Sequence, residues 1–486
     1  MGAVDHVLLF QAIRGQDSET VRRLLAHGLS VDLLDGDRTS PLMHVSSGGN
    51  LELVELCLGF GATVDLRGKH GLTALMAAAA AGQEQVVVRL LAAGASVDLT
   101  NEDGTTALMI AAYKGFAGVV AKLLAAGAVV NKCDRDQDTA LNLAVQGHHG
   151  DVVRLLLQQG ANPYQGLGAI ALAVSEGAIA CLDVLIDYGV NLNLPGADGR
   201  TPLMHGAIAG NEAVVARLVA AGAKVDFADL DGDTALILAI EQGHLGVVKQ
   251  LLAAGANLTQ TDNLLSLAAM SGNLALLEFL CDRGLPVNVK DESGDAALHV
   301  ATLEDQGAMV QYLLARGAAV DLANAQGDTP LLIAVYQGNR AIAQSLLAHG
   351  ADIHYHNGED NVISLAYSQN HYDLIGILIA HGANPDQKLP KGKTLLMYAA
   401  DQGDLSLIQQ LLTAKADVNA RDDFNATPLM WAAHRGFVDA VQLLLDNAPA
   451  IDINATNKRG DTALKIAQYN HCDAVVELLQ AKGAFL

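Results

Sequence analysis

A ten-residue phrase recurs fifteen times along the 486 residues, most clearly as TPLMHGAIAG at Thr201 to Gly210, TPLLIAVYQG at Thr329 to Gly338 and TPLMWAAHRG at Thr427 to Gly436. It begins at residues 6, 40, 73, 106, 139, 168, 201, 234, 263, 296, 329, 361, 394, 427 and 462, mostly 33 apart. A period of this length describes a supersecondary unit that cannot bury its apolar face alone and needs a neighbour on each side. One closed globular core is therefore excluded. Hydrophobic residues make up 51% of the chain and aromatic ones only 4%, which suits many small Ala and Leu contacts between stacked helices.

The stretch DLDGDTALILAIEQGHLGVVKQLLAAG at Asp229 to Gly255 shows how one unit is built. Thr234 is placed to cap a short helix carrying Leu236, Leu238, Ala239 and Ile240, and Gly243 marks a turn. In sister units Pro41, Pro202, Pro330 and Pro428 occupy the first helical position, where a missing N–H costs nothing. A second helix presents Val247, Val248, Leu251 and Leu252 as one stripe and stops at Gly255. Segments such as NEDGT at Asn101 to Thr105 and DESGD at Asp291 to Asp295 then predict a tight hairpin finger.

These residues resemble the ankyrin repeat, with its D-x-x-G-x-T-P-L-x-x-A-A-x-x-G phrase followed by V-x-x-L-L-x-x-G-A, and the resemblance covers essentially the whole chain. It implies an all-α α-solenoid with short β-hairpin fingers, curved into a single stack. The chain is read as one domain over residues 1–486, with capping units at 1–35 and 457–486. At about 8 to 10 Å per helix layer, fifteen units describe an arc of about 120 to 150 Å. The family's usual His after T-P-L stands only at His299. Met43, Met76, Met109, Met204, Met397 and Met430 replace it elsewhere. That His normally helps tie neighbouring fingers, so the replacement predicts adhesion by packing.

Two intervals are 29 residues, 139 to 168 and 234 to 263, and the loss falls in the fingers ANPYQGL at Ala161 to Leu167 and ANLTQTD at Ala256 to Asp262. Both a tolerated deletion and an entry point for a partner are consistent with such notches. They lie 95 residues apart, as do the similar blocks from Thr106 and Thr201, so one three-unit duplication explains the pair.

The formal charge of −23 and the lack of a basic run argue against nucleic acid, whose binding draws on clustered Lys and Arg. Cys57, Cys133, Cys181, Cys281 and Cys472 show no metal or disulfide spacing and read as reduced thiols. No apolar run could span a bilayer and no cleavable leader is visible, so a cytoplasmic protein without membrane insertion is expected. DLDGD at Asp229 and DRDQD at Asp134 imitate a calcium loop but lack Gly at its sixth and Glu at its twelfth position. His354 and His356 have no evident third ligand, and no dinucleotide, phosphate-loop or nucleophile-elbow motif is present. No catalytic residue, cofactor or metal site is expected.

Carried over position by position, the family's partner-facing surface includes the variable residues Tyr113, Lys114, Glu241, Glu304, Tyr336, His434, Arg435 and Tyr469. A neighbouring column ends in Tyr398 and Trp431, the latter the only tryptophan. Tyr336, Tyr398, Phe424, Trp431, His434 and Arg435 have the aromatic-plus-Arg make-up of an interface hot spot, although the rings could equally fill space between helices. Asp231, Asp233, Glu241, Glu292, Asp295 and Glu304 form a second, acidic candidate that could steer a basic segment. The sequence thus reads as a monomeric, non-catalytic scaffold for one or more partner proteins. The same surface could serve an inhibitor or a host-directed effector that blocks an enzyme.

Overall fold

The computed structural model describes residues 3–259, 263–358 and 360–485. Among them are thirty α-helices, two for each recurrence of the phrase, from Ala3–Arg14 to Asp473–Ala481. The chain divides into two compact units, residues 1–258 and 259–486. Within each, first helices pack on first helices of the adjoining repeats and on their own second helices.

The repeated side chains account for the cores. In the first unit Val86, Val87 and Leu90 recur as Val119, Val120 and Leu123, as Val152, Val153 and Leu156, and as Val214, Val215 and Leu218, all buried. In the second unit the positions hold Leu276, Leu277 and Leu280, then Leu374, Ile375 and Leu378. The alanine pairs, such as Ala111 with Ala112 and Ala432 with Ala433, are fully buried and let first helices approach closely. Burying one such Leu or Val stabilises by about 1.5–3 kcal/mol. In the unit read above, the helices span Ala235–Glu241 and Leu245–Ala253, with Thr234 accepting from the Ile237 N–H at 3.4 Å. Leu252 is only half-buried, so the stripe is narrower than expected.

The fingers are tight turns rather than developed strands. Among the described residues each hairpin contact is a single bridge pair, such as Thr100 with Thr106 in the first unit and Lys290 with Ala296 in the second. The leading Asp or Asn organises the turn: Asn101 Oδ1 accepts from the N–H groups of Asp103 and Thr105, and Asp229 Oδ1 from those of Asp231 and Asp233. The leading carboxylate of each calcium-like run, Asp229 and Asp134, is therefore engaged by its own backbone.

Neighbouring fingers are joined by a ladder that the sequence reading did not identify. Asp32 accepts from the Thr63 N–H, Asp65 from Ser96 and Asp98 from Val129, each 31 residues on, at 2.9–3.1 Å. Asn131, Asn193 and Asp226 continue it in the first unit, and Asn288, Asp321 and Asp386 repeat it in the second. Its signal was in the sequence as an Asp or Asn recurring with the repeat.

Four of the six methionines, Met43, Met109, Met204 and Met397, do half of the histidine's work. His299 Nδ1 accepts from the Ala296 N–H at 3.1 Å, and its Nε2–H donates to the Leu322 carbonyl on the next finger at 2.7 Å. Met109 Sδ takes the equivalent N–H of Thr106 at 3.3 Å while Thr106 Oγ1 caps Met109, and Met43, Met204 and Met397 do the same. A thioether cannot donate, so the bond to the next finger is lost and only the local cap remains.

The first shortened finger is closed by substitution. Tyr164 Oη replaces the missing Asp oxygen and accepts from the Asn191 N–H, while Gln165 Nε2 donates to the Asn131 carbonyl at 3.1 Å. Gly166, at φ +66°, passes where a Cβ would lie 2.6 Å from Asn142 Nδ2. This favours a tolerated deletion. The tip of the second shortened finger, residues 260–262, lies outside the described residues.

Candidate functional site

The aromatic candidates separate into distinct environments. Asp422 opens the finger before Thr427, and its Oδ1 accepts from the Phe424 and Ala426 N–H groups, both at 2.8 Å. Its Oδ2 accepts from Trp431 Nε1 at 3.1 Å, fixing the indole plane. Asp35 and His44 stand in the same register nine residues apart, joined at 2.8 Å, and Asp138 holds Gln146 at 3.2 Å, so a finger carboxylate holding a first-helix donor is a recurring device. Trp431 is consequently half-buried and rigid, while Phe424 at the finger tip is 59% exposed.

Beside Trp431 opens a groove of about 710 Å³. Phe424, Trp431 and His434 line it from one repeat, and Lys458, Arg459, Lys465 and Tyr469 from the next. His434 meets the Trp431 ring edge-on at 6.2 Å, and Asn470 donates to its Nδ1 and to its carbonyl. Tyr469 is 86% exposed. The Lys458 N–H bonds the Phe424 carbonyl at 3.0 Å, so the two fingers that wall the groove are zipped together. The volume falls within the range of ligand and peptide-anchor pockets, about 300–1,000 Å³.

Under Trp431 lies a cluster absent from the sequence reading. Lys393 is buried, with Nζ 3.2 Å from the Trp431 ring centre and 4.9 Å from that of Tyr398. Its charge is met by Asp401 Oδ2 at 3.2 Å, and Asp401 Oδ1 receives Arg435 Nε at 2.6 Å. Burial alone would raise the Asp401 carboxyl, but the Arg435 hydrogen bond and the Lys393 charge outweigh it and hold it below the usual range. Tyr398 also stacks on Tyr367 at 4.2 Å, whose phenol is pushed upward by burial and by Tyr398. The signal for this cluster was Lys393 itself, a cation directly before the capping Thr394.

Phe424, Trp431 and His434 are thus gathered into one groove. Arg435 is committed to Asp401 and Tyr398 to Tyr367 and Lys393, so both position their neighbours. Tyr336 lies in a different repeat, its ring 57% exposed and its carbonyl accepting from His371 Nε2. Of the acidic candidates, Asp231, Asp233 and Glu241 belong to the first unit and Glu292, Asp295 and Glu304 to the second. Asp231, Glu292 and Glu304 are exposed, whereas Asp295 Oδ1 accepts from Asn324 Nδ2. Asp233 is raised by burial and by its neighbours Asp229 and Asp231.

Cys57 and Cys181 are buried, and burial pushes their thiols up to about 12 and about 11. His354 and His356 border a hollow of about 310 Å³ with Asp360. Among the described residues no three His, Cys, Asp or Glu side chains come together as a metal would require, and no helix is long and apolar enough to cross a membrane.

The model for ankyrin repeats in three copies matches residues 9–101, 82–166, 170–262, 265–357, 354–422 and 396–486. The chain belongs to the ankyrin repeat family. Among curated proteins it is similar to the ankyrin repeat and KH domain-containing protein mask-1 of Caenorhabditis elegans, 31% identical over 127 residues, 26% of this chain and 5% of that protein. It also matches the E3 ubiquitin-protein ligase KEG of Arabidopsis thaliana, 36% identical over 20% of this chain and 6% of that protein. The matches thus span about a twentieth of those relatives' length. The human ASB11 ankyrin repeat domain aligns over 45% of this chain and 99% of its own, at 25% identity and a TM-score of 0.41. Ankyrin repeats generally mediate protein–protein interactions and are in general non-catalytic.

Proposed function

We propose that this ankyrin repeat protein is a monomeric, cytoplasmic, non-catalytic scaffold, and that a partner protein docks on the surface formed by first helices and finger tips, the concave face in this family. The Phe424–Trp431–Tyr469 groove is its principal anchor point. The observation that carries the reading is the pairing of a rigid aromatic floor with two highly exposed rings, Phe424 and Tyr469, that make no core. Large rings left in water at the rim of a pocket are what hot spots offer before a partner covers them.

Cross-linking is the direct test. A photoreactive amino acid at Tyr469 should capture one partner at stoichiometric yield in source-cell extract, and the same group at exposed Val88 on a second helix of the first unit should not. Equal capture at both positions, or none at Tyr469, rejects the reading.

A further inference from the structure

We propose that the segment accepted by the Trp431 groove is acidic: an extended stretch of Asp and Glu around one apolar side chain of a partner protein. The inference rests on the protein-binding reading above and adds the chemistry of the bound segment.

Charge along the chain is the first observation. The last hundred residues carry ten Lys and Arg against eleven Asp and Glu, whereas the preceding 386 carry twenty against forty-two. Nearly the whole charge of −23 therefore resides elsewhere, and the groove sits in a nearly neutral part of an acidic protein. The groove itself is locally positive. Lys458 and Arg459 are consecutive on one finger and exposed, and among the described residues neither has a carboxylate within ion-pair distance. Lys465 is shared with Asp461 at 2.6 Å, so the wall presents three cations and one carboxylate.

A second observation sets the apolar part. Trp431, Phe424 and Tyr469 give the groove an aromatic lining that a Leu or Phe side chain would fill, which a small inorganic anion would leave unused. Two rim cations, Lys458 and Arg459, are too few to hold a nucleic acid, because phosphate binding gains with every neutralised charge. Carboxylates at the exposed rim would meet Lys458 and Arg459 without losing their water, and the acidic stretch from residue 201 to 386, seven Lys and Arg against twenty-one Asp and Glu, would repel them.

Trp431 is the only tryptophan, so its emission reports this groove alone. The full chain is titrated with three short synthetic peptides sharing a central leucine, flanked by Glu and Asp, by Gln and Ser, or by Lys and Arg. The acidic peptide is expected to shift Trp431 emission with an affinity about tenfold above the uncharged one, about 1.4 kcal/mol. High salt and the double variant Lys458→Glu/Arg459→Glu should both erase that advantage. Because both residues are exposed, unchanged circular dichroism is expected of the variant.

Equal affinity for the acidic and uncharged peptides, with both lost in Tyr469→Ala, overturns the charge inference while leaving the groove a protein site. Tighter binding of an oligothymidylate than of the acidic peptide overturns it in favour of nucleic acid. An acidic peptide that binds the charge-reversed variant as well as wild type overturns it too. No emission change with any peptide removes both readings.

Discussion

Between residues 63 and 131, repeats are joined by repeated hydrogen bonds, the Asp65 to Ser96 and Asp98 to Val129 rungs, while Thr106 and Met109 cap each other within one repeat. Between residues 386 and 485 the same rungs persist, as Asp386 to Asp417 and Asn419 to Asp452, but a buried Lys393–Asp401–Arg435 cluster is added beneath Trp431. The first stretch can be extended indefinitely because no rung depends on a unique residue. The second cannot, because each charge needs one particular partner. Burying a charge costs several kcal/mol unless it is paired, so the cluster adds little net stability and instead fixes one geometry. What it fixes is the floor of the groove.

The largest expected effect breaks that difference. Asp401→Ala leaves Lys393 buried without a counter-ion and should destabilise the end of the second unit by about 3–5 kcal/mol. Urea unfolding followed by Trp431 emission reads it. The double variant Lys393→Met/Asp401→Leu should recover most of the loss, because the uncompensated charge leaves with its partner. The acid limb gives an independent check. Asp401 is held below its free value of 3.8, so its contribution is present above that pH and is lost as pH falls through the folded value. A loss below about 1 kcal/mol for Asp401→Ala would make the two stretches energetically alike.

Local chemistry was legible in advance, and chemistry between repeats was not. Thr234, Pro202 and Gly255 act within a few residues of themselves, so their roles could be read from neighbours in the chain. Asp98 acts 31 residues away and Arg435 34 residues before its position, and nothing adjacent in the sequence marks either pairing. Met109 was read as the loss of a tie because a thioether is seldom counted as an acceptor. It turned out to keep the cap and lose only the bridge. Tyr398 and Trp431 were read as neighbours in one aromatic step; a lysine from the preceding finger stands against both rings.

A smaller effect sharpens the comparison of joining devices. His299→Met converts the one full bridge into the commoner half, leaving the Leu322 carbonyl without its donor, and should cost about 1–2 kcal/mol at pH 8. Burial pushes the His299 pKa below its ordinary value of 6.5. The folded state therefore binds fewer protons than the unfolded one, and the contribution of His299 is full above about 6.5 and lost as pH falls through the lower folded value. The gap between wild type and variant in thermal melts should close from pH 8 to pH 5. A gap independent of pH would mean that the imidazole contributes by packing alone. Asp98→Ala should cost about 1 kcal/mol, and Asp98→Asn almost nothing, since the amide oxygen still accepts from Val129.

The smallest effect on stability is the one that bears most on function. Phe424 and Tyr469 are 59% and 86% exposed, so replacing either with Ala removes little buried surface, and the change in unfolding free energy should stay within about 0.5 kcal/mol. Trp431→Phe should instead cost about 1–3 kcal/mol, because it removes the indole N–H from the buried Asp422 carboxylate. Rings that face one groove would then divide into a floor required by the fold and a rim that the fold does not use. A loss above about 1 kcal/mol for Tyr469→Ala would place that ring in the packing of the last repeat and leave the groove without its free wall. Neutral stability of Phe424→Ala with abolished cross-linking from position 469 would show that this end of the molecule carries aromatic surface for another molecule to cover.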